Sequence, residues 1–397
     1  MSTTSQSRSN SPLIARRGAL GVLAGAAAAP LLTPLVRPAY AAAGEPIPIG
    51  LSAALTAQFA QDGAWMKNGV SLAVKEINER GGIKGRPVTL FIEDDQGPNP
   101  TAAANAVTKL LTQSNVVAIL GPHFTPAIMP AEPMLAQYKV PALTGASGPI
   151  VTRQHNPFVF RVRLDDSTGA ALLVQYVVER LGWKRIGIDY VNTAFGQSGI
   201  AAVKAALSAR SIEPAISQTH LDSTKDFTSQ LLAFENARVD GVIVWTDDQP
   251  SGLMAKQMST LGVHFKLAGS TSFSQPPFLR LAADAANGIY AITDFVQDNP
   301  DPAITAWKQK YALVYREDPE LYATTYYDAM NLLAAAIGST AAVSGPAIRD
   351  ALAEVKDYRG VMTSYACSAN GDMVHSGLIT EVKDQQPAIV ERVQEQG

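Results

Sequence analysis

Two short segments carry most of the chemistry open to this sequence. Gly-Pro-His-Phe-Thr-Pro follows the apolar run Val116–Leu120, and Thr-Gly-Ala-Ser-Gly-Pro follows Val140–Leu143. Each joins the end of a strand to the start of a helix with glycine and hydroxyl residues. The first amides of a helix lack partners within it, and the helix dipole draws an anion to that end. A carboxylate is the obvious small anion. Thr125 and Ser147 sit at these ends, as ligand contacts or as simple N-caps, and the two roles are compatible. Catalytic motifs are missing. The sequence has no GxxxxGK[ST] phosphate loop and no HExxH, and its five histidines show no metal-ligand spacing. Gly145-Ala146-Ser147-Gly148-Pro149 approaches a nucleophile elbow, but Pro149 replaces the last glycine. Scattered Ser, His and Asp side chains could still converge in space. The pattern favours binding over catalysis and calls for no metal or cofactor.

The elements that position these loops alternate along the chain. Strands are predicted at Ile47–Ala54, Val88–Glu93, Val116–Leu120, Val140–Leu143, Arg185–Val191, Pro214–Thr219, Gly241–Trp245 and near Leu267. Helices are predicted at Gly63–Arg80, from Asn99-Pro100 to Gln113, at Ser167–Leu181 and Gly196–Arg210, and from Asp226 and Gln249. Two more, Pro302–Arg316 and Tyr322–Ile337, follow with no strand before the second. Continuous apolar strands between amphipathic helices imply parallel sheets covered on both faces. Two such runs imply an α/β fold of two doubly wound parallel-sheet lobes.

Length and composition fit this. The chain has 397 residues, 47% of them hydrophobic, and a formal net charge of -3. Two domains are the expectation. Lysines and arginines are scattered, so nucleic acid is not an expected partner. Cys367 is the only cysteine, which excludes an intrachain disulfide. Arg16-Arg17 precede an uncharged run to Val36, and Ala39-Tyr40-Ala41-Ala42-Ala43 offers a cleavage site. Residues 1–43 thus resemble a twin-arginine export signal, although Ala15 and Ala19 depart from its usual residues. An uncleaved anchor is the competing reading, with Pro30 and Pro34 against it. The expected location is the periplasm.

Ser71–Gln96, SLAVKEINERGGIKGRPVTLFIEDDQ, reads as a helix end, a glycine turn and a strand leaving at acidic residues. Together with GPHFT and the Ala146-Ser147 loop in the same order, it resembles the periplasmic leucine/isoleucine/valine-binding protein family, the solute receptors of ABC importers. The resemblance implies a type I periplasmic binding fold, with two lobes joined by a three-strand hinge. Lobe 1 would comprise 44–162 and 293–360, and lobe 2 would comprise 163–292 and 361–397. The chain would cross near Arg161–Arg163, Ile292 and Arg359–Thr363, and strands Met362–Cys367 and Gly377–Val382 would complete lobe 2.

The resemblance also implies a small-molecule ligand between closing lobes and an ABC permease in the inner membrane. Thr125 maps to the residue that holds a ligand carboxylate. Gly145, Ala146 and Ser147 form the second carboxylate loop, with a backbone contact at Gly145 and backbone plus hydroxyl at Ser147. Phe195 maps to the aromatic that closes over the ligand, or else packs in the core. Thr271 stands where amino-acid receptors of the family place an acid for the ligand ammonium. Asp247-Asp248 or Asp62 could supply that charge instead, unless the pair is simply a solvated loop. Trp65, Phe124, Phe195, Trp245 and Phe273 could line an apolar pocket. The expected ligand is a branched-chain or other hydrophobic amino acid. The alternatives are an aromatic or aliphatic carboxylate or small amide lacking an α-amino group, or a role as binding partner of a sensory receptor.

Overall fold

The computed structural model describes residues 44–394, so the expected export signal lies outside the described residues. The first half runs β1 (Ile47–Ala53), α1 (Ala60–Glu79), β2 (Val88–Asp94), α2 (Pro100–Thr112), β3 (Ala118–Leu120), α3 (Thr125–Tyr138), β4 (Ala142–Thr144), α4 (Ile150–Arg153) and β5 (Val159–Leu164). It continues through α5 (Asp166–Glu179), β6 (Ile186–Val191), α6 (Ala194–Ser208), β7 (Ile216–His220), α7 (Thr228–Asn236), β8 (Gly241–Trp245), α8 (Asp248–Leu261), β9 (Lys266–Gly269), α9 (Pro276–Ala282) and β10 (Tyr290–Thr293). The last part holds α10 (Pro302–Tyr315), α11 (Leu321–Ser339), α12 (Gly345–Ala353), β11 (Tyr358–Arg359), β12 (Ser364–Tyr365), β13 (Asp372–Val374), β14 (Ser376–Lys383) and β15 (Gln386–Gln394).

These elements build two main sheets. The first has the order β13-β5-β4-β3-β1-β2, and the second β15-β14-β10-β9-β8-β6-β7. Central strands are apolar on both faces, as parallel strands under two helical layers must be. All five residues of β8 are buried, whereas the edge strand β7 alternates until its buried end at His220. The second sheet is not parallel throughout. β14 runs antiparallel to β10 and β15 antiparallel to β14, because Asp384 and Gln385 form a two-residue turn at φ of 50° and 60°.

Local signals explain several elements. Asn99 caps α2, accepting from the amides of Thr101 and Ala102, and Pro100 fills the first turn where no amide is needed. Gly81 and Gly82 end the α1 segment at φ of 98° and 77°. A side chain at Gly69 would overlap the Ala323 carbonyl, so this glycine lets α1 lie directly against α11.

The chain passes between sheets three times: from β5 into α5, after β10, and between β13 and β14. The third passage differs from expectation. Met362–Cys367 does not form a strand of lobe 2. Only Ser364–Tyr365 is extended, and it pairs with Tyr358–Arg359. Tyr365 is fully buried and its hydroxyl donates to Asp328 of α11, which holds this hairpin in lobe 1. β13 then pairs with β5, so the chain reaches the second sheet only at Ser376. Two arginines on β5 tie the passages together. Arg161, with no exposed side chain, donates to Asp372 at 2.6 Å, and Arg163 donates to Asp294 at 2.9 Å. Among the described residues, no helix is long and apolar enough to cross a membrane.

Candidate functional site

The carboxyl ends of both sheets face a narrow cleft, the position where open α/β sheets bind ligands. Thr125, Ala146 and Ser147 line it from lobe 1, and Phe195, Asp247 and Thr271 from lobe 2. Gly145 and Phe124 also lie on its wall. Asp62 does not. It is buried in the first turn of α1, where it acts electrostatically on Asp247 and Asp248.

The lobe 1 wall is built from groups that satisfy one another. Thr144 Oγ1 donates to the Pro122 carbonyl and accepts from the Ala146 amide. The Gly145 amide donates to the Tyr326 hydroxyl at 3.1 Å, so a backbone contact at Gly145 is left only its carbonyl. The Gly148 amide donates to Thr125 Oγ1 at 3.2 Å, which leaves the threonine's own proton free to donate. Arg161 gathers the loop from behind, donating to the carbonyls of Ser147 and Gly148 at 2.8 and 2.7 Å. The start of α3 favours a ligand carboxylate near Thr125 and Ser147. Phe124 packs against Phe59 with tilted rings, centroids 4.7 Å apart, and meets the His123 ring edge-on.

The lobe 2 wall is the opposite in character. Asp166, at the start of α5, and Asp248, at the start of α8, are buried and line the cleft. Asp248 Oδ2 has no hydrogen-bond partner, and Asp166 Oδ2 has only the Trp245 ring N–H and the Ser147 hydroxyl close by, outside good hydrogen-bond geometry. Burial pushes the Asp166 carboxyl up to about 7, and the neighbouring Asp165 charge adds to this. Burial and the charges of Asp222 and Asp62 raise Asp247 to about 7. Asp248 goes well above the ordinary carboxylate range, through burial and then through Asp62, Asp247 and Glu320. Asp62 itself rises to about 7 by burial, opposed by Arg280. The nearby guanidinium of Arg163 is already committed to Asp294 and Thr271. The cleft thus carries more carboxyl than cation, the arrangement that accepts a positively charged nitrogen.

Thr271 is occupied. Its hydroxyl accepts from Arg163 at 3.0 Å and donates to the Ile292 carbonyl at 3.1 Å. Phe195 stands half-buried in the first turn of α6 and closes one side of the cleft. Trp65 and Phe273 belong to the core instead, 5% and 0% exposed. Trp245 is in the core too, 1% exposed, with its ring nitrogen near Asp166. Sequence reasoning missed Arg163, Asp166, Thr246 and Tyr322, all on the cleft wall. Tyr322 comes from α11, nearly 200 positions beyond Thr125, and carries no local motif. His123 sat within the quoted GPHFT segment, and burial beside Arg163 holds its ring well below the usual histidine range.

Residues 46–387 match the family described as periplasmic binding protein. The chain is 28% identical over 331 residues to the Leu/Ile/Val-binding protein BraC3 of Rhizobium johnstonii, covering 82% of this chain and 89% of that one. It is similar in fold to LivJ, a branched-chain amino acid transporter substrate-binding protein from Streptococcus pneumoniae solved with isoleucine. That likeness has a TM-score of 0.80 and 24% identity over 88% of this chain and 99% of that one. It is also similar to a solute-binding protein of R. palustris solved with benzoate, with a TM-score of 0.79 and 18% identity over 87% and 96% of the two chains.

Proposed function

We propose, for a chain that belongs to the periplasmic binding protein family, that it is the exported solute receptor of an ABC importer and captures an amino acid as its zwitterion between two closing lobes. The observation that carries this reading is the pair of unpartnered oxygens, Asp166 Oδ2 and Asp248 Oδ2, in the same cleft as the Thr125–Ser147 donors. One wall suits a carboxylate and the other suits an ammonium. The ammonium would take the place of a missing cation among these acids, so the charge lost at Thr271 is supplied from α5 and α8. Phe124, Phe195 and Ala146 would cover a hydrophobic side chain. The names of the relatives support a branched-chain or other hydrophobic amino acid. Export through residues 1–43 would place the receptor in the periplasm, where the closed form would meet a membrane permease encoded elsewhere. Lobe closure about a hinge is the motion such receptors use.

A second reading has its own support. A carboxyl with a pKa near 7 can stay protonated and neutral, and then a carboxylate ligand with no amino group fits the same cleft. The benzoate-bound neighbour has this kind of ligand. A thermal-shift panel on protein denatured and refolded to strip ligand separates the two. A ligand at about 100 times its Kd adds about 2.7 kcal/mol of stability. Stabilisation by leucine-like amino acids is expected. Stabilisation by aromatic or deaminated acids alone would replace the first reading with the second.

A further inference from the structure

Three buried polar side chains at the edge of the second sheet are hydrogen-bonded in a line that the zwitterion reading leaves unused. His220 Nδ1 lies 2.7 Å from Asp189 Oδ2, and His220 Nε2 lies 2.7 Å from Thr246 Oγ1. Asp189 and Thr246 have no exposed surface, and His220 is 4% exposed. The strand order β8-β6-β7 sets the three side by side at the strand ends, with Val191 opposite His220 and Tyr190 opposite Trp245. Thr246 lines the ligand cleft. Asp189 and His220 stand behind it.

The order of the partners decides the direction of each bond. With Asp189 Oδ2 accepting the Nδ1 proton, Nε2 is the ring nitrogen left to accept. In that arrangement the Thr246 hydroxyl donates its single proton to Nε2. That leaves the oxygen of this cleft-wall residue with acceptor capacity only. The Thr246 carbonyl is also engaged, accepting from the Ser270 hydroxyl at 2.9 Å. An oxygen with no proton to give repels a ligand carbonyl or carboxylate and suits an N–H.

Resting on the amino-acid reading above, we infer that Asp189 and His220 fix Thr246 as an acceptor-only contact for the positively charged nitrogen of the ligand. Thr246 touches the ligand, and Asp189 and His220 are positioning residues that act through it. The ligand class follows: a primary ammonium is selected over the hydroxy or deaminated acid of the same shape.

The test is calorimetry on ligand-stripped protein with two probes, L-leucine and 4-methylpentanoic acid, together with ring ¹⁵N spectra of His220. Wild type should show the Nδ1–H tautomer and prefer leucine. Thr246→Val should reduce the ratio of leucine to 4-methylpentanoate affinity by about tenfold or more, and Thr246→Ser should keep it within about twofold. Asp189→Asn, whose amide can donate to Nδ1, should move the ring proton to Nε2, turn the Thr246 proton toward the cleft and reduce the same ratio. A wild-type Nε2–H tautomer overturns the inference. So does a Thr246→Val protein with an unchanged ratio, and the threonine variants decide the matter even if Asp189→Asn does not fold. A wild type that prefers 4-methylpentanoate removes the amino-acid reading and the inference together. A wild type that prefers leucine, with Thr246→Val unaltered, removes the inference alone.

Discussion

The two walls of the cleft solve opposite problems. In lobe 1 the polar groups are spent on each other: Thr144 with Pro122 and Ala146, Gly145 with Tyr326, Gly148 with Thr125, and Arg161 with the loop carbonyls. In lobe 2, Asp166 and Asp248 are buried with oxygens left over. The first wall is organised before any ligand arrives, which reduces the ordering cost of binding. The second holds desolvated groups that a ligand can satisfy. A change in the lobe 1 loops should therefore damage fold and binding together, and loss of the unpaired Asp248 carboxylate should damage binding more than fold.

The largest expected effect tests the first wall. Arg161→Leu removes the cation paired with Asp372 and one donor from each of two loop carbonyls, and breaking such a buried pair costs about 3–5 kcal/mol. Urea denaturation should show the loss. A midpoint close to wild type would mean the loop holds itself. Next is the pH dependence contributed by the second wall. Asp166 has a folded pKa of about 7 against an ordinary 3.8, so the native state binds more protons between these values. Stability of the ligand-free protein should fall as pH rises from about 4 to 7, at up to about 1.4 kcal/mol per pH unit for each such group. Asp166→Asn should flatten that slope in melts across the range. An unchanged slope would remove Asp166 as its source.

Asp248→Asn should weaken leucine binding by about 1.5–3 kcal/mol, the scale of a hydrogen bond to a charged group, while the ligand-free melt stays near wild type. Equal damage to both would erase the distinction between the walls. The smallest effect belongs to Thr271→Val, which keeps the shape but removes the link between Arg163 and Ile292. Stability should drop by about 0.5–1.5 kcal/mol, with affinity changed less than about threefold. A larger loss of affinity would return Thr271 to the ligand.

The pattern of local signals explains what the sequence disclosed. Apolar runs such as Gly241–Trp245 and the caps at Asn99 and Gly81 depend on neighbours in the chain, so they read correctly. The GPHFT and Gly145–Ser147 loops were legible because strand ends and hydroxyls adjoin in sequence. The third passage between lobes was not, because Asp372–Val374 pairs with β5 over two hundred positions away. Arg163 and Asp166 looked like ordinary charges beside a crossing, and only their burial reveals their part in the cleft. The hydrogen-bonded line from Asp189 to Thr246 joins three separate strands and leaves no motif.

Both guanidinium anchors lie two residues apart on one strand, and this has a mechanical consequence. Through Arg163 and the Leu164 amide, β5 is clamped to Asp294 on the second connection, and through Arg161 and strand pairing it is clamped to the third. The three connections form a single ply. Bending between the lobes would therefore fall beyond Leu164, Asp294 and Val374, where these contacts end, and the proposed closure would turn about one axle with little freedom to twist or slide.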